Sequence, residues 1–336
     1  MIDAASLKEK LDRPAKIVIT THHKPDGDAI GSSLGLYNFL IQKGHQVHVI
    51  TPTDYPVFLQ WLPNNPEVLI YTGNEERSRK LVEEAEIIFG LDFNDLRRIN
   101  DLGLEVAKSS ALKVMIDHHL DPEGFDDYRY WDINACATAQ LIYTFITDVL
   151  QEPQYLNKDV ATCLYTGIMT DSGSFRFPKT TAEVHRITAR LIELGADNAH
   201  IHELVYDNAS ENRLRFLGFC LSSRLEVIPE FHTAMITVSR ADMERFDIIT
   251  GDTEGIVNYA LSINGIRLAA FIVERPDRVK LSLRSTGDFP ANEICKKHFN
   301  GGGHRNAAGG HSNASFEATV AHFKHILPDY RNLLNQ

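Results

Sequence analysis

The sequence predicts an α/β protein: an N-terminal doubly wound parallel sheet followed by a smaller C-terminal α/β domain. Three observations carry this. Short apolar runs, Ile17-Val18-Ile19, Ile87-Ile88-Phe89-Gly90-Leu91 and Val114-Met115-Ile116, are too short for amphipathic helices, and helix-like segments lie between them. That alternation is the signature of parallel strands covered on both faces. Each run leads into Asp or His, and in such sheets ligands bind at the carboxyl ends of the strands. From about residue 228 the chain changes to longer strand-like runs separated by helices, the pattern of a second, smaller domain.

In chain order, the first strand enters a tight Gly/Pro turn, and Ala29 to Lys43 reads as a helix ended by Gly44. Gln46 to Thr51 is a strand, and Glu75 to Ala85, Asp95 to Lys108 and Asn134 to Leu150 read as helices. A helical block follows: Lys158 to Met169, Thr181 to Leu194, Asp197 to Tyr206 and Glu211 to Leu221. No Pro- or Gly-rich linker interrupts it, so a helix is expected to bridge the domains. His232 to Ser239, Ile266 to Val273 and Val279 to Ser285 are strand-like, with helices at Glu254 to Ile263, Ala291 to Phe299 and Phe316 to Leu327. Arg275-Pro276-Asp277-Arg278 is a turn signal that should pair the last two strands as a hairpin. The expected division is a first domain over 1–200, a helical linker over 201–227 and a second domain over 228–336.

The composition, 43% hydrophobic and 24% charged over 336 residues, is that of a globular protein. No segment approaches the roughly 20 apolar residues that span a bilayer. The four cysteines are scattered without a Cys-x-x-Cys pair, which argues against disulfide scaffolds and thiolate zinc sites and makes the cytoplasm the expected location. A formal charge of −11 argues against sequence-independent binding of long nucleic acids, which needs a basic face. It is compatible with a short, highly charged ligand held by a local cluster of cations.

The densest chemistry lies in Thr21-His22-His23-Lys24-Pro25-Asp26-Gly27-Asp28. Unpaired carboxylates crowded at a strand tip repel one another and lose solvation, an objection that a divalent cation removes. Asp92, Asp117-His118-His119 and Asp171 repeat the arrangement at three further places. His200 and His202 are two apart and face different sides of a helix, and His322 and His325 have no nearby carboxylate. Asp95 reads as a helix N-terminal acid, and Glu83-Glu84 and Asp126-Asp127 as exposed acidic pairs.

His22-x-x-Pro25-Asp26-Gly27-Asp28, then Asp92, Asp117-His118-His119 and Asp171, in that order, resemble the motifs of the DHH phosphoesterases. Gly301-Gly302-Gly303-His304-Arg305-Asn306-Ala307-Ala308-Gly309-Gly310 resembles the glycine-rich motif of the associated DHHA1 domain. The compact layout is most similar to the nano-RNases that also dephosphorylate 3′-phosphoadenosine 5′-phosphate (pAp). Small departures occur at His23, Asp121 and Cys136, and none removes an expected ligand.

The resemblance implies that His22, Asp26 and Asp92 hold one ion and that Asp28, Asp92, His118 and Asp171 hold a second, with Asp92 bridging. Oxygen-rich ligation with a few imidazoles suits Mn²⁺, two ions per chain. Asp117 is expected to orient a histidine, and His119 to bind a phosphate oxygen or protonate the leaving group. In the second domain Gly302 and Gly303 would offer backbone amides to an anion and His304 a directed hydrogen bond. Arg284, followed by Ser285, would grip a phosphate, with Arg305 as a further candidate that also fits a solvent-facing role.

The implied activity is Mn²⁺-dependent hydrolysis of short oligoribonucleotides, and of pAp, in a cleft between the domains, with no membrane or long-duplex partner and a homodimer left open. Alternatives are a phosphodiesterase for cyclic-di-AMP or its linear product pApA, and a non-catalytic nucleotide sensor on the same fold. Membrane-bound cyclic-di-AMP enzymes carry upstream segments that this sequence lacks. Inorganic pyrophosphatases and exopolyphosphatases share the N-terminal motifs, but the glycine-rich segment argues against them.

Overall fold

The structure is a computed structural model and describes residues 1–335. The chain folds as two compact units, Met1–Asn208 and the segment from Ala209 onward. In the first, six strands, β1 (Lys16–Thr21), β2 (Gln46–Thr51), β3 (Val68–Ile70), β4 (Ile87–Leu91), β5 (Leu112–Asp117) and β6 (Tyr128–Trp131), form one sheet of order β3-β2-β1-β4-β5-β6. Every neighbouring pair is parallel. Helices α1 (Ala4–Leu11), α2 (Gly27–Gln42), α3 (Glu75–Glu84), α4 (Leu102–Lys108), α5 (Thr138–Thr144), α6 (Lys158–Asp171), α7 (Ala182–Glu193) and α8 (Asn198–Tyr206) accompany it. All five residues of β4 are buried, because it lies mid-sheet with both faces covered. The strand order reverses direction between β1 and β4, the switch point at which such sheets open a crevice for ligands.

Helix α2 starts two residues earlier than its apolar pattern suggests. Asp26 is its N-cap, and the Asp26 carboxylate accepts from the amides of Asp28 and Ala29, so Gly27 and Asp28 become its first turn. The helix is buried from Gly27 to Leu40 and packs closely on α6. At Gly31 a Cβ would stand 2.6 Å from the carbonyl oxygen of Cys163, so glycine is required for that approach.

Two expected helices are shorter than the apolar pattern implied. Over 95–108 a 3-10 turn, Leu96–Ile99, is separated from α4 by Asn100 at φ 52°. Over 134–150 the regular helix is α5 alone, preceded by turns and followed by a wide π turn at Phe145–Val149. The edge strands β3 and β6 were not expected, since each is short and partly exposed. Asp126 is not an exposed acid: its side chain is fully covered and paired with Arg129 at 2.8 Å.

The second unit begins with α9 (Glu211–Phe219) and contains β7 (Leu225–Ile228), β8 (Thr233–Val238), α10 (Arg240–Arg245), α11 (Ile256–Leu261), β9 (Leu268–Glu274), β10 (Val279–Ser285), α12 (Ala291–His298), β11 (Gly302–His304), β12 (Ala307–Ser312), α13 (Phe316–Ile326) and α14 (Arg331–Leu334). Its sheet has the order β11-β12-β10-β9-β8-β7; only β8 and β9 run parallel, and β9–β10 is the expected hairpin. Alternate residues of β9 serve opposite faces. Leu268, Ala270 and Ile272 pack with Ile294 and Phe323, whereas Ala269, Phe271 and Val273 pack with Phe216 and Ile256. The glycine-rich segment is a β-hairpin rather than an open loop, so part of its backbone is committed to the ladder. The glycines permit close strand packing: a Cβ on Gly301 would lie 2.0 Å from the oxygen of Gly309.

Candidate metal centre

The polar tips of β1, β4 and β5 converge at the switch point of the first unit. His22 follows β1, Asp92 follows β4, Asp117 ends β5, and His118 and His119 come next. Asp92 turns out of its strand at φ 63°, a left-handed conformation that Asp tolerates better than most residues. The turn places its carboxylate between two imidazoles: Oδ2 is 3.4 Å from Nε2 of His22, and Oδ1 is 3.5 Å from Nε2 of His118. Nε2 of His22 is also 3.9 Å from Asp26, and Nε2 of His118 is 3.8 Å from Asp28 and 3.5 Å from Asp171. The six residues expected to hold metal therefore stand in two groups that share Asp92.

The chemistry of the donors fits divalent cations. Nδ1 of His22 faces the carbonyl of His23 at 2.9 Å and Nδ1 of His118 faces that of Ala135 at 3.1 Å. With Nδ1–H donating to a carbonyl, Nε2 is the atom with a lone pair to offer, the usual arrangement around a metal-bound imidazole. Without a cation the acids are frustrated. Burial and the neighbouring Asp92 and Asp171 push Asp28 well above the ordinary carboxylate range, and burial lifts Asp171 to about 7. His118 is raised to about 10, because the surrounding carboxylates more than offset the cost of burying its charge.

The N-terminus of α5 completes the centre and had little sequence signal. The amides of Thr138 and Ala139 donate to the two oxygens of Asp28 at 2.6 and 2.8 Å, and the Thr138 hydroxyl donates to Asp92 at 2.9 Å. These bonds orient carboxylates that otherwise repel. Thr138→Val is expected to weaken divalent-metal affinity by about tenfold with little change in fold, as loss of such an orienting partner does. Titration calorimetry checks it, and unchanged affinity would show that Thr138 does not orient Asp92.

His119 differs from the other histidines. Its Nδ1 donates to Oδ1 of Asp117 at 2.7 Å, so the expected orienting role of Asp117 falls on His119 rather than on His118. Burial, helped by the Arg98 guanidinium, keeps this imidazole below its ordinary pKa. Arg98 also bears electrostatically on His22. Its guanidinium makes no ion pair or hydrogen bond among the described residues. Arg98 was not recognisable in sequence, because nothing near it in the chain marks it as part of a site. The declined residues are engaged elsewhere: Asp95 pairs with Arg97, His200 with Glu203, and His202 with Ser174.

In the second unit, Arg284 lies in β10 opposite Ala307 and donates to the carbonyl of Leu283 at 3.0 Å. The buried Ser285 hydroxyl donates to Phe289 at 2.7 Å and accepts from Asn306 at 2.9 Å. Arg305 is turned to Asp288, donating to its carbonyl oxygen at 2.6 Å. Gly302, Gly303 and His304 form β11, the edge strand with a single neighbour.

Among known proteins, residues 16–168 match the DHH family, N-terminal domain, and residues 233–328 match the DHHA1 domain. A bifunctional oligoribonuclease and PAP phosphatase NrnA from Thermus thermophilus is 33% identical over 293 residues, covering 87% of this chain and 83% of that protein. The protein of the same name from Bacillus subtilis is 26% identical over 87% of this chain and 88% of its own length. A crystal structure described as an exopolyphosphatase-related protein from Bacteroides fragilis superposes with a TM-score of 0.94 at 39% identity, covering 99% of this chain and 97% of that one. Among the described residues no helix is long and apolar enough to cross a membrane. With the Asp117-His118-His119 motif at the tip of β5 and a DHHA1 domain later in the sequence, the chain belongs to the DHH family of phosphoesterases.

Proposed function

We propose that the protein hydrolyses short oligoribonucleotides to mononucleotides and removes a phosphate from pAp, using two Mn²⁺ ions. The observation that carries this reading is Asp92, whose two oxygens face two different imidazoles. A single carboxylate in that position would serve two divalent cations at once, the arrangement suited to phosphoryl transfer. His22, Asp26 and Asp92 would hold one ion, and Asp28, Asp92, His118 and Asp171 the other. Bound there, divalent ions supply Lewis acidity that activates water and offsets charge on the attacking and leaving oxygens. Mn²⁺ accepts both imidazole nitrogen and carboxylate oxygen, whereas Mg²⁺ and Ca²⁺ favour all-oxygen sites.

The chain's own groups do the rest. Asp117 holds Nδ1–H of His119, so Nε2 is the proton-exchanging atom. At rest it is an acceptor, because burial disfavours the imidazolium. The charge of an arriving phosphate favours protonation there from solvent; Nε2–H then gives its proton to the leaving oxygen, while the attacking water releases one to solvent. Arg98 adds positive charge on the same side. Arg284 and His304 would hold the nucleotide in the second unit, and the net charge of −11 favours a short substrate over a long strand.

His119→Ala is expected to lower kcat by about 10²–10⁴-fold, the range of general acid–base catalysis, with metal stoichiometry unchanged. The function itself is tested with pGpG, pApA, a five-nucleotide RNA, pAp, cyclic-di-AMP and inorganic polyphosphate under Mn²⁺. Cleavage of the linear dinucleotides and pAp supports it. Rapid turnover of polyphosphate or cyclic-di-AMP with silence on the linear RNAs would replace it. Tight nucleotide binding without any product would point to a sensor.

A further inference from the structure

Lys179 lies in the loop between α6, which ends at Asp171, and α7, which begins at Ala182. Its side chain is half-buried, and among the described residues its ammonium makes no hydrogen bond or ion pair. The carboxylates of Asp171, Asp132 and Asp117 all act on it electrostatically, and Asp171 feels it in return. These neighbours stand at the ends of β5, β6 and α6, which puts Lys179 on the Asp171 side of the metal centre. Arg98, beside His22 and His119, occupies the other side.

The loop that carries Lys179 is firmly held. Gly173, Ser174 and Phe175 take left-handed φ of 60°, 58° and 63° in succession. Ser174 Oγ is 3.1 Å from Nε2 of His202, Arg176 Nε donates to the carbonyl of Gly173 at 2.7 Å, and the Thr181 hydroxyl caps α7. A half-buried lysine lays its apolar stem against the protein and keeps its ammonium at the surface, where it can meet an anionic ligand.

A counter-charge for the carboxylates is the simpler role, but it would place the ammonium against one of them. Instead Asp171 turns Oδ2 to within 3.5 Å of His118, and Asp117 turns Oδ1 to His119. We propose that Lys179 binds the phosphate next to the scissile one, making it a specificity residue for substrates that carry two phosphate groups. The proposal rests on the phosphoesterase reading above. The scissile phosphate belongs over Asp92; a cation displaced towards Asp171 meets the neighbouring group of pApA or pAp, and meets nothing on ApA.

The test compares the full-length protein with Lys179→Met and Lys179→Arg on pApA and on ApA, which lacks the terminal phosphate. Lys179→Met is expected to raise KM for pApA by about tenfold or more, the scale of a charged hydrogen bond, and to change ApA by less than about twofold. Lys179→Arg should restore most of the pApA affinity, and Mn²⁺ binding should be the same in all three. Equal losses on both substrates, no loss on either, or weakened Mn²⁺ binding would overturn the assignment. If the unmodified protein cleaves neither substrate, the functional reading fails. Calorimetric binding of pAp and AMP then decides for Lys179: a selective loss of pAp affinity in Lys179→Met supports it, and an equal loss refutes it.

Discussion

Asp92→Asn is expected to reduce kcat for pApA hydrolysis by about 10³-fold or more, equivalent to about 4 kcal/mol of transition-state stabilisation. The size follows from where the carboxylate stands. One oxygen serves the His22 group and the other the His118 group, so a single substitution removes charge from both. Asn keeps the shape, tolerates the left-handed backbone at φ 63°, and leaves the Thr138 hydroxyl an acceptor. The fold should therefore persist, which a thermal melt and an unchanged circular dichroism spectrum would verify. Metal titration should show weakened binding at both sites. An Asp92→Asn protein with near-normal turnover, or one that loses a single ion and keeps its rate, would sink the bridging role.

Metal removal should destabilise the protein by an amount that grows with pH. His118 is raised to about 10, and burial lifts Asp171 to about 7. A group with a raised folded pKa holds more protons in the native state than when unfolded. Its stabilising contribution is complete below the unfolded value and disappears as pH rises through the folded one. For His118 that window runs from about 6.5 to about 10, and His22 shifts in the same direction. Asp171 adds a loss of the same sign between about 4 and about 7. Asp92 is held well below the ordinary carboxylate range by His118 and His22, so it stays ionised throughout this window.

In the loaded protein a cation takes the place of those protons. The gap in melting temperature between Mn²⁺-loaded and chelator-treated protein should then widen from about pH 7 to about pH 9. At a hundredfold excess of free metal over Kd the stabilisation is about 2.7 kcal/mol, worth several degrees for a chain of this size. Calorimetry in buffers of different ionisation enthalpy should also detect proton release at about pH 7.5, because the ligands must be neutral imidazole and ionised carboxylate. A gap that is flat in pH, with no proton release, would show that His118 is not a ligand.

Much of this centre was legible in the chain because its parts are local. A short apolar run makes a strand, a His-x-x-Pro-Asp-Gly-Asp turn follows, and Asp26 caps the next helix; each depends on residues a few positions apart. The same locality explains the misreadings. Asn134 to Leu150 is apolar enough for one helix, but its first residues shape the approach to Thr138 and Ala139, which must point their amides at Asp28. The glycine-rich segment carries no strand signal, yet residues 302–304 and 307–312 pair as strands, a decision made by β10 lying alongside.

By itself the sequence determined the candidate donor residues, their order and the fold class, since strand tips and caps are specified by neighbours in the chain. Tertiary structure alone decided which oxygen faces which imidazole, that Asp117 serves His119, and that Arg98 and Lys179 flank the centre. Those relations join residues brought together by parallel crossovers, such as Asp28 and Thr138, 110 positions apart. A parallel strand pair requires a long connection, so the contacts that orient a site at its strand ends are necessarily non-local and leave no periodic trace in the sequence.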